Sequence, residues 1–131
     1  MSKFVDRYKT DKNLEENGQW VDLGEGVEIK IARLNSERSQ AVRRRLEKPY
    51  SKMRGEIPAQ IQEDILTKQV AEAVLLDWKG VELEVGKPLD PTLENKIKVL
   101  TEFKDFRQDV VFVSMEAETF KTAKAEEATK N

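Results

Sequence analysis

The stretch IPAQIQEDILTKQVAEAVLLDWKG, residues 57–80, carries the most regular apolar pattern in the chain. Ile61, Ile65, Leu66, Val70, Val74, Leu75 and Trp78 share one face of a 3.6-residue helix, while Glu63, Asp64, Lys68 and Glu72 lie elsewhere. The spacing predicts a long buried helix, with Pro58 in its first turn and Trp78 and Gly80 closing it. At about 1.5 Å per residue, Ile57 to Trp78 would run roughly 33 Å, the width of a small domain. Other elements must pack on its stripe.

Upstream, Thr10 or Asp11 can cap a short helix anchored by Leu14 and stopped by Gly18. Phe4, Val5 and Tyr8 before it could dock on the core or belong to an arm that orders on binding. From Gln19 to Leu34 the apolar period becomes two: Val21, Leu23, Val27, Ile29 and Ile31 alternate with Asp22, Glu28 and Lys30. This predicts a β-hairpin. A three-residue loop, Gly24-Glu25-Gly26, keeps the apolar residues on one face, pairs Leu23 with Val27 and Val21 with Ile29, and requires positive φ at Gly26. Trp20 then faces Lys30 on the outer side.

Asn35 or Ser36 can cap a helix to about Glu47, with Ala41, Val42 and Leu46 as its thin stripe and Pro49 ending it. Residues 36–55 carry seven Lys or Arg against two Glu, a net of +5; residues 56–95 carry nine acids against three Lys, a net of −6. The simplest reading is mutual attraction of these blocks within the fold. A phosphate-binding surface is the weaker one, because Tyr50 alone offers an aromatic platform.

Val81 to Pro88 predicts a surface loop turning at Gly86-Lys87-Pro88. Asp90 as cap, with Pro91 at the first helical position, opens a helix whose inner stripe is Leu93, Ile97 and Leu100. Phe103, Phe106, Val110, Val113, Ala117 and Phe120 then follow a heptad-like seam, too short for a coiled coil. Such a helix packs on its own domain. Val111 and Phe112 widen the apolar surface, however, and a wide face on a terminal helix also suits a partner or self-association. Phe103, Phe106, Val110, Val113 and Phe120 are therefore the candidate protein-binding residues. Beyond Phe120 the chain is polar and has no large apolar anchor.

Together these elements predict an α+β, mainly α-helical fold, an N-terminal β-hairpin packed on a small bundle of about four helices. Residues 1–120 form a single domain and 121–131 a polar, disordered tail. The chain has 131 residues, net charge −2, no cysteine and no histidine. That composition removes disulfides, thiol nucleophiles, the usual general base and common zinc ligands. Gly-rich phosphate loops and GxSxG, HExxH, EF-hand and paired CxxC patterns are missing, so the expectation is a non-enzyme without cofactor or metal. The near-neutral charge disfavours a nucleic-acid binder, and no apolar run approaches a membrane span. Met1 to Tyr8 lacks a signal-like apolar region, giving a cytoplasmic expectation.

One resemblance runs through the chain. Lys9-Thr10-Asp11, Trp20-Val21-Asp22-Leu23-Gly24-Glu25-Gly26, Ile29-Lys30-Ile31-Ala32-Arg33-Leu34-Asn35, Lys48-Pro49-Tyr50, Trp78-Lys79-Gly80-Val81, Gly86-Lys87-Pro88-Leu89 and Leu100 before Phe103-Lys104-Asp105-Phe106 occur in that order. The series resembles the tail assembly chaperones of long, non-contractile-tailed bacteriophages, over about residues 9–120. Trp20 to Gly26 and Trp78 to Leu89 carry most of the likeness. The resemblance implies a late, non-enzymatic protein of the host cytoplasm that solubilises the tape measure protein, brings tail tube subunits to it and is absent from the finished virion. It transfers no catalytic or binding residue. Alternatives are a structural virion component, another small tail assembly or completion protein, and a nucleic-acid-binding regulator using Arg43 to Arg45.

Overall fold

The computed structural model describes residues 2–121. Its centre is the stretch from Ala59 to Lys79, which is helical for only part of its length. Following α1 (Lys3–Tyr8), α2 (Lys12–Asn17), β1 (Gln19–Gly24), β2 (Val27–Ile31) and α3 (Glu37–Glu47), helix α4 spans Ala59–Gln69. One wider π-helical segment, Val70–Val74, continues it, and the chain then enters β3 (Leu75–Lys79) without a loop. The expected helix to Gly80 is thus corrected to a helix-to-strand switch at Leu75. Its cause is the second edge of β2, which pairs antiparallel with β3 in a sheet of order β1-β2-β3. Ile29 faces Trp78, Lys30 faces Asp77 and Ile31 faces Leu75. Leu76 is therefore an extra, bulged residue. The bulge turns Leu75 and Trp78, three apart, to the same buried side, and that spacing is what made the strand read as helix.

The hairpin has the predicted face and a different turn. Val21 pairs with Ile29, Asp22 with Glu28 and Trp20 with Lys30 as expected, but Val27 faces Gly24 rather than Leu23. Leu23 bulges, with the Gly24 N–H held by the Asp22 carboxylate at 2.8 Å. A two-residue turn then suffices. Glu25 (φ 53) and Gly26 (φ 84) both take positive φ, the signature of a type I′ turn.

The buried side of the sheet meets the helices in one core. Ile29, Ile31, Val70, Val74, Leu75, Leu100, Val110 and Phe120 are fully enclosed, with Trp78 and Val99 nearly so. Trp78 fills it and donates its indole N–H to the Leu89 carbonyl at 2.7 Å, tying down the chain beyond β3. That chain is a small exposed hairpin, β4 (Glu82–Glu84) with β5 (Lys87–Pro88), where a loop was expected. Gly80 has φ +78, and a Cβ there would lie 2.1 Å from the Gly26 carbonyl oxygen.

Local capping chemistry follows the sequence closely at the N-terminal end. The Asp11 carboxylate accepts from the Asn13 and Leu14 amides, Gly18 closes α2, and Ser36 caps α3. Residues 3–8 are helical with none buried, so Phe4, Val5 and Tyr8 do not dock on the core. The cap of α5 (Leu93–Glu102) is Thr92, whose hydroxyl accepts from Asn95 N–H at 3.2 Å. This corrects the assignment to Asp90 by two residues; the Asp90 carbonyl instead accepts from Thr92 N–H and the Asn95 side chain.

The final seam is broken twice. Phe103 (φ −105, ψ 82) separates α5 from α6 (Lys104–Met115), and Glu116 (φ −77, ψ 122) separates α6 from a 3-10 turn, Ala117–Phe120. The α+β, mainly helical class and the N-terminal hairpin are as predicted, with β3 added to the sheet. The expected polar tail falls outside the described residues from residue 122 onward.

These backbone features predict opposite stability changes. Replacing Glu25 with Asn relieves a left-handed conformation at a non-glycine residue and should raise unfolding free energy by up to about 1 kcal/mol. Gly80→Ala adds both positive-φ strain and the Gly26 clash, so it should lower it by more than about 1 kcal/mol. Urea unfolding of the two variants checks both signs.

Candidate protein-binding surface

Helix α6 faces the core with Val110 and Ser114, both fully buried. Its orientation is set by Arg107, which reaches across to α4. One guanidinium nitrogen lies 2.6 Å from the Glu63 carboxylate and the other donates to the Thr67 hydroxyl at 3.1 Å. The Thr67 hydroxyl itself donates to the Glu63 carbonyl at 2.9 Å. The hydrogen bond from Arg107, then its charge, then that of Lys104, hold the Glu63 carboxyl below its ordinary range.

With α6 held in this way, the five sequence candidates separate. Val110 and Phe120 have no exposed surface and belong to the core. Phe106 and Val113 are half-buried and pack against it. Phe103, at the α5–α6 junction, is 43% exposed. The structure therefore does not bring these residues together as one accessible face. The apolar side chains that α6 does offer are Phe112, 63% exposed, and Met115, 61% exposed, one turn apart on the outer side. Phe112 widens the apolar seam in the sequence itself. Met115 was missed because it lies off that seam, where an outward residue carries no periodic signal.

Phe120 is held from both sides. Its carbonyl accepts from Asp11 N–H at 2.8 Å, and the Arg33 guanidinium carbon sits 5.8 Å from its ring centre. Arg33 is also paired with the nearly buried Glu15 at 3.0 Å, and Glu15 in turn accepts from the Thr10 hydroxyl. Lys121 then donates to the Asp6 carbonyl at 2.9 Å, fastening α1.

The basic block is largely solvent-facing. Arg43, Arg44, Arg45, Lys48, Lys52 and Arg54 are all exposed. Of the expected attraction to the acidic block, the structure realises the Arg45–Glu72 ion pair and a bond from Arg38 to the Glu72 carbonyl. Such exposed pairs contribute little to stability. The α3–α4 contact rests more on the buried Gln69 amide, which donates to the Ser39 hydroxyl at 2.9 Å. Among the described residues no acidic cluster has the arrangement of a metal site, and no helix is long and apolar enough to cross a membrane.

A profile of the family described as YdaY prophage protein matches residues 34–131. The chain belongs to the YdaY prophage protein family. It is a phage-derived protein. The YdaY match begins just before the Ser36 cap and takes in α3 through α6, leaving β1 and β2 outside. No curated protein and no solved structure matches the chain.

The Glu63–Arg107 contact has a defined pH signature. A carboxyl whose folded pKa is depressed stabilises fully above its ordinary value of 4.5 and loses that contribution as pH falls through the lower folded value. Glu63→Gln should therefore be less stable than the parent at neutral pH and should lose less stability on acidification. Denaturant midpoints across the acidic range test this, with parallel curves excluding it.

Proposed function

We propose that this YdaY family member is a non-enzymatic tail assembly chaperone, which binds and solubilises the tape measure protein and helps recruit tail tube subunits in the host cytoplasm. Phage origin is common ground for this reading. The observation that carries it is the spatial meeting of the two sequence pieces with the strongest chaperone resemblance. Gly80 abuts Gly26, Trp78 pairs beside Ile29, and the Lys79 ammonium lies 4.4 Å from the Trp20 ring centre. Pieces more than fifty residues apart thus form one joint at one end of the sheet. This supports treating the resemblance as a shared fold signature rather than scattered identities.

The outward Phe112 and Met115 suit an amphipathic helical client, which needs apolar contact on a charged surface. Replacing both residues with Ser leaves the core untouched, whereas Phe120→Ser would remove a fully buried ring and unfold the domain.

Co-expression of the Phe112→Ser/Met115→Ser variant with the tape measure protein of the same phage should reduce soluble tape measure protein at least about threefold, an apolar pair contributing on the order of 1 kcal/mol or more. Circular dichroism should show an unchanged fold. Undiminished solubilisation by the folded variant removes these residues from the client surface. Detection of the protein as a stoichiometric part of purified virions would instead make it a structural component.

A further inference from the structure

Helices α3 and α5 both pack on the π-helical segment and border a groove of about 390 Å³. Arg38, Val42 and Arg45 form one wall, at positions i, i+4 and i+7 of α3, and Leu93 and Lys96 form the other, at i and i+3 of α5. Ala71 and Glu72 make the floor. Arg38, Arg45 and Lys96 make the rim cationic, Val42, Ala71 and Leu93 supply apolar lining beside the acidic Glu72, and Leu93 is left 46% exposed. Glu72 is already engaged, its carboxylate by Arg45 and its carbonyl by Arg38.

Arg38 and Lys96 hold their charge differently from Arg45. Among the described residues neither makes an ion pair with a carboxylate; each donates to a backbone carbonyl, Arg38 to Glu72 and Lys96 to Leu76, both at 3.3 Å. Burial pushes the Lys96 ammonium pKa down, Asp77 opposes this, and the Arg38 charge adds to the depression. The groove thus sets Arg38 and Lys96 on facing walls, with Asp77 attracting Lys96 more than Arg38 repels it. A carboxylate placed between the two cations would interact with both while neighbouring apolar atoms cover Val42 and Leu93.

We propose that the α3–α5 groove docks a short acidic amphipathic segment of a protein partner, with a carboxylate between Arg38 and Lys96 and an apolar side chain on Leu93 and Val42. The site is separate from the Phe112 surface and does not rest on the chaperone reading. A protein segment fits better than a nucleic acid, because no aromatic side chain lines the groove, Val42, Ala71 and Leu93 offer apolar contact, and the Glu72 carboxylate in the floor would repel a phosphate backbone.

The test is fluorescence anisotropy of the full chain with a labelled peptide of repeated Leu-Glu-Glu-Leu units, its Leu-Gln-Gln-Leu counterpart and a labelled DNA duplex. The acidic peptide should bind at least about tenfold more tightly than the Gln peptide and than the duplex, as charge-complementary interfaces discriminate. Arg38→Glu, and separately Leu93→Ser, should each weaken it several-fold. Arg44→Glu makes the same charge change on α3 outside the groove and should leave affinity within about twofold at physiological salt, where more distant exposed charges are screened. Both variants on α3 alter exposed residues, and circular dichroism confirms folding. Equal losses for Arg38→Glu and Arg44→Glu, indifference to Leu93→Ser, tighter binding of the duplex, or displacement of the peptide by millimolar inorganic phosphate would each overturn the proposal.

Discussion

Strand β2 needs a partner on each edge, and this requirement shapes the molecule. Ile29 and Ile31 are completely enclosed, and a backbone buried at that depth must satisfy its polar groups within the protein. The hairpin supplies β1 on one side. The other side draws in Leu75–Lys79 from the end of a helix, so the chain's most helix-like stretch stops short. The π-helical segment is where the two periodicities meet. The Leu75 N–H reaches back to the Val70 carbonyl while Ala32 N–H takes the Val74 carbonyl, passing the chain from helix to sheet with its bonds made.

Two misread elements share one physical origin. A bulge inserts a residue that has no counterpart, which shifts side-chain alternation by one. At Leu23 it let a two-residue turn preserve a register that simple alternation would give only to a three-residue loop. At Leu76 it made a strand look like a turn of helix. Neither shift leaves a mark in composition, because both bulged residues are leucines. Capping was readable at Asp11, Gly18 and Ser36, where one side chain or one glycine decides the matter locally. The candidate surface was less accessible to such reasoning. A continuous seam would unite its residues on one face, but the breaks at Phe103 and Glu116 turn Phe120 into the core while leaving Phe112 and Met115 outside.

The electrostatics divide by depth. Glu15–Arg33 and Glu63–Arg107 each join elements distant in sequence, and each is partly shielded from water and supported by a hydroxyl, from Thr10 or Thr67. They fix orientation. The arginines of α3 lie mostly on the surface, and the opposite charges of neighbouring sequence blocks translate into few direct contacts. A basic helix in a nearly neutral protein is left with charge to spare.

The grip on Phe120 has a consequence for the order of events during synthesis. Its ring completes a core built from residues 29 onward, and its carbonyl satisfies an amide of residue 11, near the other end of the described chain. A chain emerging N-terminus first can form α3 and the hairpin locally, but it cannot close until residue 120 has been added. Contacts spanning this much sequence slow folding and leave apolar surface open meanwhile. The sheet's buried face must therefore stay open until residue 120 has been made, whatever else of the fold has formed before it.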